Sequence, residues 1–296
     1  MDFKIDERLG EVYYDEPMKN HTSFKVGGNA KILVRPNDED ALIEILKLVK
    51  ENNINYYILG NLTNVIVKDN GFNGVIIKLK DRLNEVSRDG DVIYAGAGAS
   101  MKEVSEFAWE NSLEGLEFAH GIPGSVGGAI VMNAGAYDGE TKFVVDRVRL
   151  LNSDFEIIEK SVDDMNFGYR HSIVQEEELI VLGAYYKLKP GDKDKIREKF
   201  EEFDRRRAEK QPLELPSAGS TFKRPTGYFA GKLIDDSGLR GFTHRGAGIS
   251  EKHCGFVVNK NNATASDILE TIAIVQKVVK DNFGVDLQRE VKIIGE

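Results

Sequence analysis

Apolar residues fall in two rhythms along this chain. Short dense runs at Ala30–Arg35 (AKILVR), Tyr56–Leu59, Val65–Val67, Gly74–Leu79 and Val92–Ala95 predict strands, with a turn at Asp89–Gly90 before the last of them. Arg147–Leu151, Glu156–Lys160 and Leu179–Leu188 predict three antiparallel strands, and Val291–Ile294 a terminal one. A three-to-four-residue spacing takes over at Asp38–Asn52, where Ile43, Ile45, Leu46 and Val49 share a face, and at Met101–Asn111. It returns in the strongly charged Ile196–Lys210, which must stop before Pro212, and in Ala265–Phe283. The last helix opens on Thr264-x-x-Asp267, a capping pattern, and closes at Gly284. Its Ile268, Leu269, Ile272, Val275, Val278 and Val279 read as core.

Strands and helices mixed in this way predict an α+β protein. No fixed-period repeat or low-complexity segment appears, so a solenoid is excluded. Lys189–Lys195 (KPGDKDK) has the composition of a linker. With 296 residues the chain is long enough for two or three domains. Composition narrows the classes further. A charged fraction of 30% against 41% hydrophobic describes an ordinary soluble protein, and no run of about 18 apolar residues suggests a membrane span. The opening MDFKIDERLGEVYYDEP has no apolar core, so no secretion signal is expected. One cysteine, Cys254, rules out an internal disulfide framework and fits a reducing cytoplasm. A formal net charge of -9 argues against a nucleic-acid surface.

Gly115–Glu140 (GLEFAHGIPGSVGGAIVMNAGAYDGE) carries seven glycines and no lysine or arginine, so an anion held there must be met by backbone N–H groups. Neither GxxxxGK[ST] nor GxGxxG is present, which leaves a glycine-lined nucleotide cradle of another kind, or a tight turn-and-bulge region in a sheet. Phe24–Asn29, Gly60–Asn64 and Ala95–Ala99 are further glycine or polar nodes at strand ends; together the four suggest loops meeting on one extended ligand.

Reactive side chains sit elsewhere. In FGYRHS, Arg170 is either a planar fork for a carboxylate or phosphate, or a surface arginine. In PSAGSTFKRP, Ser220 is either turn chemistry or an exposed hydroxyl, and it lacks a GxSxG elbow. In LQREVKIIG, Glu290 either ends a strand or is desolvated and functional. Arg205, Arg206 and Arg207 read as a solvated helix face, or in part as a contact to a substrate phosphate. No metal site is expected: the five histidines lack HxxxH or HExxH spacing, and Cys254 has no partner. His253 and Cys254, adjacent on a strand, would point to opposite faces and do not read as a base–nucleophile pair.

Taken in order, HTSFKVGGNA, EFAHGIPGSVGGAIVMNAGAYDGE, FGYRHS, PSAGSTFKRPTGYFAGKLID and LQREVKIIG resemble the UDP-N-acetylenolpyruvoylglucosamine reductase (MurB) family over nearly the whole chain. GNLTN departs from that family's usual turn at Leu62 and Thr63, and the short spacing after FGYRHS resembles the type without an extra substrate-covering loop. The resemblance implies a two-subdomain FAD-binding unit of the PCMH/vanillyl-alcohol-oxidase-like kind over residues 1–80 and 81–190. A C-terminal α+β substrate-binding domain would follow over 191–296. It implies Arg170, Ser220 and Glu290 as the catalytic set. FAD contacts are implied at Gly60, Asn61, Thr63 and Asn64, through Gly121, Ile122, Pro123, Gly124, Ser125, Gly127 and Gly128, and at Asn133 and Gly135. Tyr169 would hold substrate; Lys210, Lys223 and Arg224, cationic and close in sequence to Ser220, are either contacts to its diphosphate or surface residues. The implied cofactor is FAD with NADPH as electron donor, and the implied partner is a small molecule, UDP-N-acetylglucosamine enolpyruvate. No obligate protein partner is implied. Another FAD oxidase would place its flavin with different motifs and carry a different substrate domain, and a flavin-binding module without catalysis would not need all three of Arg170, Ser220 and Glu290.

Overall fold

A computed structural model describes residues 3–295; Met1, Asp2 and Glu296, the ends of the expected divisions 1–80 and 191–296, lie outside them. Two compact units share the chain in an interleaved way. The first gathers the chain up to Tyr13, Ile32–Asn61 and Val75–Arg205, and the second holds Tyr14–Lys31, Leu62–Gly74 and the chain from Arg206 onward.

At the centre of the first unit is a five-stranded antiparallel sheet in the order Ile157–Ser161, Val145–Leu151, Ile180–Lys187, Val92–Gly96, Val86–Asp89. All but the last of these are strands that the apolar runs predict. Val86–Asp89 (VSRD) is an edge strand too polar to announce itself. Helix Glu39–Glu51 forms where the spacing places it, with the Asp38 carboxylate accepting from the Ala41 amide at 2.8 Å. Its Leu42, Ile45, Leu46 and Val49 are buried in a core with Ile93, Val148, Leu182 and Tyr186. Ile43, expected on that face, is half-buried. Tyr56–Leu59 pairs in parallel with Val75–Lys78.

Lys189–Lys195 is ordered and not a loose linker. Lys189 and Pro190 pair with Glu114 and Leu113, and a helix begins at Lys193 and runs to Lys210. The Trp109 indole N–H donates to the Lys193 carbonyl at 3.0 Å and fixes that start. Ile196 and Phe200 are the helix's buried residues; Arg205 and Arg206 are exposed and Arg207 is half-buried.

In the second unit the helix Ala265–Phe283 covers a three-stranded antiparallel sheet, Thr243–His244, Ala247–Ile249 and Val257–Asn259. Lys292–Ile294 pairs in parallel with Val65–Val67. The helix start is heavily capped. Thr264 Oγ1 accepts from the Asp267 amide at 3.1 Å, Asp267 Oδ2 accepts from the Thr264 amide at 2.9 Å, and the Asp69 carboxylate accepts from the Ala265 and Ser266 amides, both at 2.8 Å. Thr264→Ala is expected to cost about 1 kcal/mol at neutral pH in urea unfolding. The Asp267 carboxyl is held below its ordinary range, first by the Thr264 backbone N–H. A depressed carboxyl stabilises the fold above its unfolded pKa and loses that contribution as pH falls through the lower folded value. Asp267→Asn should therefore flatten the acid side of the stability profile; an unchanged slope would contradict the cap's role.

Candidate active site

In the first unit the glycine-rich segment hides a helix. Ser125 caps Val126–Met132, its Oγ accepting from the Gly128 amide at 3.3 Å, while Val126, Ala129 and Ile130 are buried. Two adjacent glycines lower helix propensity by about 1 kcal/mol each, and that masked the element in the sequence. The cap also meets a second loop. A Cβ on Gly60 would stand 2.0 Å from Ser125 Oγ, and the Asn61 side-chain amide donates to the Pro123 carbonyl. Ser125 further pairs as a bridge with Ser100, through Met101 N to Gly124 O at 3.0 Å and Val126 N to Ala99 O at 2.9 Å.

These bonds sort the amides. Val126 and Gly127 donate to Ala99 and Ala97, and Gly128 to Ser125. The N–H groups of Gly60, Asn61, Gly121, Gly124 and Ser125 have no carbonyl partner among the described residues. Backbone donors on two sewn-together loops, with no cationic side chain in the segment, fit the diphosphate of a dinucleotide. Gly128 is exposed, and the nearest atom to a Cβ there is 3.6 Å away, leaving room for a flat group. The donor set fits FAD. Gly60→Ala should displace Ser125 and give a protein purified with little flavin. Adding Ser125→Gly should restore part of it, and full flavin content in Gly60→Ala would contradict the cradle.

Other glycine nodes pack backbone against backbone. A Cβ on Gly98 would lie 1.7 Å from Arg82 O, one on Gly96 2.0 Å from Leu83 O, and one on Gly28 2.1 Å from Asp69 O. Gly135 closes the hairpin Gly135–Ala136 with Gly139–Glu140, where a Cβ would meet Gly139 O at 2.5 Å. Ile122 is half-buried and packs on the core, and its amide donates to Ala119 O. Asn133 is fully buried in a left-handed cap, and both its amide hydrogens are engaged, one with Glu140 and one with the Gly168 carbonyl at 3.0 Å. Its side chain thereby holds the FGYRHS turn.

In that turn Gly168 and His171 exchange backbone hydrogen bonds, so Tyr169 and Arg170 are its corners. Arg170 has φ +55°, a left-handed conformation that costs a non-glycine residue on the order of 1 kcal/mol, and strain of this kind clusters at functional sites. Its guanidinium lies 5.2 Å from the centre of the exposed Tyr169 ring.

In the second unit, Gly219 at φ +73° turns the chain into Ser220, and the next residues pair with the C-terminal segment. The Glu290 amide donates to Thr221 O and the Lys223 amide to Gln288 O, both at 2.8 Å, around a Phe222–Arg289 bridge. Thr221 is anchored beneath: its amide donates to Gly255 O, and its hydroxyl accepts from the Val257 amide at 3.0 Å. Ser220 therefore stands one residue from the hydrogen bond that holds Glu290. Both side chains are partly accessible. Asn64 supports the same pair. Its side chain donates to Glu290 O at 3.3 Å, while its own carbonyl accepts from the Lys292 amide at 3.0 Å. Leu62 is buried with φ +50°, so the departure in GNLTN is a packing residue, with the half-buried Thr63 beside it. Lys210 is exposed at its helix end, Lys223 half-buried, and Arg224 exposed with its guanidinium 3.9 Å from the Phe229 ring centre.

Lys292, two residues after Glu290 in LQREVKIIG, is given no role by that motif. Burial first, and then the like charge of Lys223, hold its ammonium below the ordinary lysine range. Cys254 is buried, and burial pushes its thiol up, away from the reactive thiolate. Among the described residues no group of His, Cys, Asp and Glu is placed to hold a metal ion, and no helix is long and apolar enough to cross a membrane.

A model for the FAD binding domain matches residues 30–161, which makes this a protein of the FAD-binding class. The model for the C-terminal domain of UDP-N-acetylenolpyruvoylglucosamine reductase matches residues 211–294. Reductases of that name from Clostridium perfringens and Caldanaerobacter subterraneus are each 51% identical, over 97% and 99% of this chain and 96% and 97% of their own. The crystal structure of the Thermus caldophilus enzyme (MurB) superposes with a TM-score of 0.82 at 32% identity, covering 97% of this chain and 99% of that one. This chain belongs to the UDP-N-acetylenolpyruvoylglucosamine reductase family.

Proposed function

We propose that the protein is an NADPH-dependent flavin reductase, UDP-N-acetylmuramate dehydrogenase, which converts UDP-N-acetylglucosamine enolpyruvate to UDP-N-acetylmuramate for peptidoglycan in the cytoplasm. The observation carrying this reading is the Glu290–Thr221 hydrogen bond, which sets Ser220 beside Glu290 on paired segments in a chain of this family. Residues 1–80 and 81–190 supply the flavin contacts, and 191–296 the substrate domain.

Bound FAD would supply the redox chemistry, carrying hydride between NADPH and the enolpyruvyl double bond. The protein's own groups manage charge and protons. Addition at the terminal carbon leaves an electron pair on the neighbouring carbon, delocalised into the carboxylate. Arg170 meets that charge with a fork that cannot lose its proton and whose turn is already formed. Ser220 gives its hydroxyl proton to the carbon, completing the saturated lactyl ether. Glu290, on the segment paired with Thr221, helps hold the enolpyruvyl group for that proton transfer. Gly60, Asn61, Gly121, Gly124 and Ser125 hold the flavin diphosphate through their amides. Tyr169, Lys210, Lys223 and Arg224 hold the nucleotide part of the substrate.

NMR of the reaction mixture tests the reading. The vinyl signals should give way to a lactyl methyl signal as NADPH is consumed in equal amount. Oxidation of small alcohols with oxygen uptake, and no loss of vinyl signal, would favour an oxidase of the same broad type.

A further inference from the structure

Tyr228 and Phe229 are unusual surface residues. They are 47% and 60% exposed, adjacent, and held by a turn in which the Tyr228 amide donates to Pro225 O at 3.1 Å with Gly227 at φ +78°. Phe229 also occupies the N-cap of the helix Ala230–Asp236 and makes no side-chain cap there. Helix stability favours Ser, Thr, Asp or Asn at that position, so the sequence keeps an apolar ring where local structure gains nothing from it. One face of the ring carries the Arg224 guanidinium at 3.9 Å. The chain is acidic overall, yet this corner sets Arg224 against the ring, with Lys223 its neighbour in sequence.

We infer that Phe229, backed by Arg224 and flanked by Tyr228, is the platform on which the uracil ring of the substrate stacks, with Lys223 at the adjoining diphosphate. The inference rests on the reductase reading and names the surface that holds the base. A flat, weakly polar base gains from an aromatic face made more attractive by a cation behind it, and every base has such a face. Lys223 lies three residues from Ser220, roughly 10 Å of extended chain at about 3.3 Å per residue. That span matches a hexose carrying the enolpyruvyl ether on one side and the diphosphate on the other. The reacting end, the charged linkage and the base then follow Ser220, Lys223 and Phe229 in order.

Calorimetric titration of the oxidised holoenzyme with UDP-N-acetylglucosamine enolpyruvate, and steady-state kinetics, test it. Phe229→Ala should weaken binding and raise KM on the order of tenfold, with kcat near wild type because the base is held equally in ground and transition states. Phe229→Trp should restore affinity, and Phe229→Ser should bind as poorly as the alanine variant while its helix is better capped, separating platform from fold. Undiminished binding by Phe229→Ala, or loss of its flavin in place of its substrate affinity, would overturn the platform alone. A wild-type holoenzyme that does not bind the enolpyruvyl nucleotide would overturn the reductase reading and the platform with it.

Discussion

Ser220→Ala should still bleach its flavin with NADPH at the wild-type rate, while the return of colour on adding UDP-N-acetylglucosamine enolpyruvate slows by about 10²–10⁴-fold, the usual worth of a positioned proton donor. The two halves separate because the hydroxyl is needed only where a proton must reach carbon. The fold should tolerate the change. Ser220 is partly accessible, and the local pairing runs through backbone atoms of Thr221, Lys223, Gln288 and Glu290. Stopped-flow absorbance of the two halves reads this directly, and a normal second half would remove Ser220 from the proton-donating role. Ser220→Cys, which keeps a donor at the same point, should recover part of the lost rate.

Arg170 yields the second large effect, and its backbone makes the test unusually clean. The residue sits at φ +55°, where glycine is at ease and arginine is not. Arg170→Gly, which suits that backbone, should stay folded while losing about 10²–10³-fold in the substrate-dependent half. Arg170→Lys should regain only part of that loss, since an ammonium lacks the two parallel N–H bonds of the fork. Stability that falls along with activity would mean that Arg170 serves the turn and not the chemistry.

How far the sequence carries this picture depends on the kind of signal. The Asp38 and Thr264 caps and the spacing of Ile45, Leu46, Val49, Ile268 and Ile272 place their helices to within a few residues, because capping and burial there act locally. The helix Val126–Met132 was hidden by glycines that disfavour it locally, and long-range bonds from Ala97, Ala99 and Ser100 hold it. Charge along KPGDKDK suggests a linker, but pairing with Leu113 and Glu114 orders it. No shift in composition marks a unit assembled from three separated stretches of chain, as both units here are.

For the site, Arg170, Ser220 and Glu290 were visible as residue types in suggestive settings; their resemblance to a family gave them roles. What the structure adds is support around them: the Asn133 bonds that hold the Arg170 turn, the Asn64 bonds that hold the Glu290 strand, and Gly60 fitted to Ser125. Those contacts join positions 35, 226 and 65 apart, too distant for any short motif to reveal. Lys292 escaped for a related reason, since its ammonium is set apart by burial and by Lys223, a residue far away in the chain.

The visible spectrum of the anaerobic purified protein tests the central claim most directly. A yellow protein should bleach with NADPH, stay bleached with UDP-N-acetylglucosamine, and recover its colour with UDP-N-acetylglucosamine enolpyruvate. A colourless flavin-reconstituted protein, a yellow one that NADPH leaves unchanged, or a bleached one that the enolpyruvyl nucleotide does not restore would contradict it.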